Sequence, residues 1–127
     1  MDNENFNKIA FNDMLREKTK QLAVRIIKMY AVLPRKDEIV IIGKQLIRSS
    51  TSVAANFRAA CRGRSDREFR AKLSIVVEEA DETVFWLELL RDTELVPARK
   101  LVNLEEEALS VLKIVAKMRK NAYKIGE

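Results

Sequence analysis

Four runs of mostly apolar residues, each recurring at alternating intervals of three and four, constrain this chain to long helices packed face to face. The first run is Leu15, Thr19, Leu22, Ile26, Met29 and Leu33. It predicts a helix from about Asn12 to Ala31, capped by Asn12 or Asp13, and Pro34 then disfavours helical geometry at Leu33. Asp37 is placed to cap a second helix, reaching about Arg62 on the stripe Ile39, Gly43, Leu46, Ser50, Val53, Phe57 and Ala60. Gly63 then stands where a left-handed helix cap needs a residue without a Cβ.

Ser65 and Glu68 form an S-x-x-E capping box, in which hydroxyl and carboxylate each accept a free backbone N–H of the next helix. That third helix carries Phe69, Leu73, Val76, Ala80, Thr83, Leu87 and Leu90 and ends near Thr93. Pro97 suits the first turn of a fourth, which carries Leu101, Leu104, Ala108, Val111, Val115, Met118 and Ala122. Connections this short make successive helices antiparallel neighbours. The expected fold is an all-α, antiparallel up-down-up-down four-helix bundle, one domain over residues 1–127, with 1–11 a flexible or docking N-terminal segment. Three glycines and two prolines agree with few turns. No apolar run approaches the roughly 18 residues that a membrane span needs, and Met1–Ala10 is polar and Asn-rich rather than signal-like, so the cytoplasm is the expected compartment.

The chain has no histidine, so neither the paired Glu-x-x-His site of carboxylate-bridged metal bundles nor a His-based nucleophile can be built. Glu78, Glu79, Asp81 and Glu82 therefore read as a solvated or ion-paired face, and the lone Cys61 as a packing residue beside Arg62. No Gly-rich phosphate loop is present. The expectation is a protein that is not an enzyme and needs no catalytic residue, metal or cofactor.

Charge is distributed unevenly. Arg58, Arg62, Arg64, Arg67, Arg70 and Lys72 face two acids, Asp66 and Glu68, whereas Lys113, Lys117, Arg119, Lys120 and Lys124 face none. An up-down bundle brings the second turn and the end of the fourth helix to one end, where Arg16, Lys18 and Lys20 join them. From Glu78 to Glu107 ten acids outnumber three bases. The basic end is expected to bind nucleic-acid phosphate without reading bases.

Gln45, Arg48, Ser52 and Asn56 recur at three, four and four, and form a polar seam beside the apolar stripe. Counting outward from the Gly63–Arg64 turn puts Arg48 level with Ala80, within reach of Glu79 and Glu82. Phe85, Trp86 and Leu89 make the third helix apolar around more of its circumference than one core covers, which predicts a homo-oligomer interface. The alternative cover is a folded-back Phe6, Ile9 and Phe11.

The residues Gln45, Arg48, Ser52, Val53, Asn56, Arg64, Ser65, Glu68 and Phe69, with Asn56–Arg62, Glu78–Glu82 and Phe85–Leu90, resemble the family encoded by intervening sequences of bacterial 23S rRNA genes. That family is also called S23 ribosomal protein. Where its commoner pattern has Glu-Gly this chain has Ala59–Ala60, so no role of that glutamate carries over. The resemblance implies a four-helix bundle, a pentamer and RNA association. It extends to the accessory subunit of diversity-generating retroelements, which works with a reverse transcriptase. A protein-interaction scaffold, or a reverse-transcriptase accessory subunit without direct nucleic-acid contact, is the competing expectation.

Overall fold

The computed structural model describes residues 3–125, and within them four helices follow one another: α1 (Asn3–Ala31), α2 (Asp37–Cys61), α3 (Asp66–Asp92) and α4 (Ala98–Ile125). Each packs antiparallel on its sequence neighbour, α1 also touches α4, and no strand occurs among the described residues. The core is the set of stripes read from the sequence. Leu15, Leu22, Ile26, Ile39, Leu46, Val53, Phe57, Leu73, Val76, Leu87, Leu90, Leu101, Val111 and Val115 are buried, while Met29, Phe69 and Met118 sit at its margin. Burying the largest of these contributes roughly 1.5–3 kcal/mol each.

The helix ends differ from expectation in several places. Helix α1 starts at Asn3 rather than Asn12, so residues from Asn3 to Phe11 are not a separate segment, and neither Asn12 nor Asp13 is a cap. Elongating an existing helix by a residue costs far less than starting one, so an unremarkable polar stretch is carried along. Ile9 and Phe11 are exposed and do not cover α3, and the Phe6 side chain lies outside the described residues. The cap position of α2 is Lys36, with no side-chain cap bond, and Asp37 is instead its first residue, where its charge still favours the helix dipole.

Gly63 is not left-handed. Its N–H bonds to Ala60 O at 3.1 Å, and an added Cβ would lie 3.2 Å from that same oxygen. Among the described residues the left-handed one is Glu94 (φ 59°), just after α3. The capping box at α3 has one bond as expected, Glu68 N to Ser65 Oγ at 3.1 Å, but the Glu68 carboxylate accepts from Arg64 N at 2.7 Å rather than from Ser65. Gly43 has a packing role: a Cβ there would lie 2.2 Å from Cε1 of Tyr30, whose ring occupies that space while Arg35 stacks over it at 4.8 Å.

Candidate nucleic-acid interface

The last turn of α2, the first of α3 and the C-terminal part of α4 lie at one end of the bundle. Of the eleven basic residues assigned to that end, Arg58, Arg62, Arg64, Arg67, Lys72, Lys113, Lys117, Lys120 and Lys124 are exposed, and Arg70 and Arg119 are half-buried. Among the described residues none of the eleven forms an ion pair. Elsewhere among the described residues four basic residues are paired, Arg16, Lys18, Arg48 and Arg91, with Arg91 bonding Glu105 at 2.6 Å and Lys18 bonding Glu107 at 2.7 Å, while others such as Lys20, Arg25, Arg35 and Lys44 form no ion pair. Arg16 is tied to Asp13, so of the three basic residues that α1 was expected to add, two carry a carboxylate partner.

The eleven fall into two groups. Around the α2–α3 turn, Arg62, Arg64 and Lys72 line a cleft of about 340 Å³ with Ala59, Gly63, Glu68 and Ala71. Lys113, Lys117, Lys120 and Lys124, at spacings of four, three and four, form a line about 16 Å long on the side of α4 away from Leu104, Val111 and Val115. Arg70 links the groups, its guanidinium 5.7 Å from the Tyr123 ring centre. Arg58 and Arg62 also border a larger groove, about 660 Å³, between α1 and α2. The opposite end is not uniformly acidic, since the α1–α2 connection brings Arg35 and Lys36 there beside Asp37 and Glu38.

The polar seam divides. Arg48 Nη1 donates to Glu79 at 2.9 Å, its Nη2 donates to Glu82, and its Nε donates to Gln45 Oε1 at 2.8 Å. Ser52 and Asn56 are not brought to α3: the Asn56 amide donates to the Ser52 carbonyl and hydroxyl oxygens, both at 2.9 Å, within α2. The buried cross-helix bond runs instead from Thr83 Oγ1 to Ser49 Oγ at 2.9 Å, and Ser49 was missed because it lies off the apolar stripe. Of the aromatic group, Phe85 is half exposed, Trp86 is partly buried with its indole N–H on Glu82 at 3.0 Å, and Leu89 is half-buried. Cys61 is half-buried at the core margin, where burial pushes the thiol pKa up against the opposing pull of the Arg16 guanidinium. Such a thiol is not activated. Among the described residues no group of three or more His, Cys, Asp or Glu side chains is placed to hold a metal, and no helix is long and apolar enough to cross a membrane.

In class this is an antiparallel four-helix bundle with eleven basic residues in the segments that meet at one end. It belongs to the 23S rRNA-intervening sequence protein family, whose model matches residues 14–117. A crystal structure of a protein of unknown function from the S23 ribosomal protein family of Bacteroides thetaiotaomicron is similar, with a TM-score of 0.78 and 32% identity. That likeness covers 86% of this chain and 97% of the other. No curated protein matches the chain.

Proposed function

We propose that the protein is a non-catalytic homo-oligomer that holds RNA or another nucleic acid through phosphate contacts at its basic end. The observation that supports this most is the gathering of eleven basic side chains, nine of them exposed and none ion-paired among the described residues, in segments of α2, α3 and α4 that meet at one end of the bundle. Unpaired cations condense on phosphate with release of counterions and without first breaking an internal ion pair. Aromatic side chains are few there, so base stacking is a minor contributor.

Labelled single-stranded and duplex RNA titrated at several salt concentrations tests the reading. The expected result is an affinity that falls steeply with salt, and a triple variant Arg62→Glu, Arg64→Glu, Arg67→Glu that shallows the log–log slope by about three. Helical content and mass stay unchanged, because all three side chains are exposed. Undiminished RNA retention in that variant rejects the basic end as the binding surface. It would favour the interaction scaffold or accessory subunit, a reading supported by the half-exposed Phe85.

A further inference from the structure

Among the surfaces that the bundle leaves uncovered, two are complementary in their chemistry. On the outer side of α3, Glu78, Asp81, Phe85, Glu88 and Asp92 recur at three, four, three and four, and all five are exposed. They make one acidic line about 21 Å long with an aromatic ring at its middle. Among the described residues Glu78, Asp81 and Glu88 have no ion-pair partner, while Asp92 lies beside Arg91 at 3.2 Å. The second surface is the groove of about 660 Å³ between α1 and α2. Its floor is Ala23, Val24, Thr51, Ala54 and Ala55, and its rim carries Arg16, Lys20, Arg58 and Arg62 against Asp13 and Glu17. It runs from Asp13 to Val24 on one side and from Thr51 to Arg62 on the other, about 16 Å along each helix.

We infer that the α3 line of one copy seats in the α1–α2 groove of a second copy, with Phe85 on the alanine floor and Glu78, Asp81 and Glu88 facing Lys20 and Arg58. The inference rests on the reading of Phe85 as a self-association surface and names the surface it meets. Small floor residues let a helix approach closely and leave room for a ring. Charge complementarity fixes the partner as another copy, because the same chain carries both halves. Groove and line are different patches, so the contact is head-to-tail: each copy gives α3 to one neighbour and receives α3 from the other, and the chain of contacts closes if the rotation permits. Arg58 is then used between subunits, and nucleic acid falls to Arg62, Arg64, Arg67, Lys72 and the α4 lysines.

Charge reversal tests the pairing by light scattering at micromolar concentration, with circular dichroism to confirm helical content. A groove variant carries Lys20→Glu and Arg58→Glu, and a line variant carries Glu78→Lys and Glu88→Lys. The wild type is expected as an oligomer, each variant alone as a monomer, and their equimolar mixture as an oligomer again, since each reversed surface finds its complement. A monomeric wild type overturns the inference, as does a mixture that stays monomeric. If Phe85→Ala dissociates the oligomer while the groove variant keeps full mass, self-association through Phe85 stands and its seat in this groove is rejected.

Discussion

Between α2 and α3 the bundle is bonded at every level: a buried Thr83–Ser49 hydrogen bond, the Arg48 fork onto Glu79 and Glu82, and the Ser65–Glu68 cap at the turn. Between α1 and α4 the contact is the smallest of the neighbouring pairs, with Lys18–Glu107 as its ion pair. The segment Asn7–Phe11 of α1 is exposed throughout. A helix can therefore be long without being well held. Length reflects cheap propagation, whereas stability comes from the buried face, and α1 obtains that mainly from α2.

The sharpest way to break this contrast is a pair of phenylalanine truncations. Phe57→Ala, fully buried in α2, is expected to lose about 3–5 kcal/mol in urea unfolding. Phe11→Ala, 41% exposed, should stay within about 0.5 kcal/mol. A loss at Phe11 comparable to that at Phe57 would mean that the N-terminal part of α1 is firmly packed.

Next in size is Gly43→Ala, which places a methyl group on the Tyr30 ring where α1 meets α2. We expect a loss of about 1–3 kcal/mol by the same measurement. A neutral effect would show that the ring moves away freely.

The smallest effects compare the two ion pairs. Arg48→Met is expected to cost about 0.5–1 kcal/mol, because the guanidinium is nearly half exposed. Lys18→Met should cost about 0–0.5 kcal/mol, and double-mutant cycles with Glu79 and Glu107 measure each coupling directly. A stronger coupling at Lys18 than at Arg48 would reverse the comparison.

Much of this difference is written in the residues themselves. The apolar stripes specify the core because burial follows helical period almost without regard to detail, and the position of Arg48 relative to Glu79 and Glu82 follows from counting residues outward from a tight turn. Features that depend on where a side chain turns were not legible. Asn56 satisfies itself on Ser52, one turn away on its own helix, which a polar stripe cannot distinguish from a cross-helix bond. Glu94 takes the left-handed conformation and Gly63 does not, since a glycine permits that conformation without requiring it. The α1–α2 groove was invisible for a related reason: Ala54 and Ala55 lie off the stripe of α2, and a gap has no residue to announce it.

The single tryptophan gives the uneven bundle a built-in reporter with a narrow field of view. The Trp86 indole donates to Glu82, the carboxylate that also receives Arg48, so its emission follows the joining of α2 and α3. If α1 peels away first on heating, far-UV ellipticity declines while the fluorescence barely moves. The separation between the two melting curves then measures how independently α1 behaves.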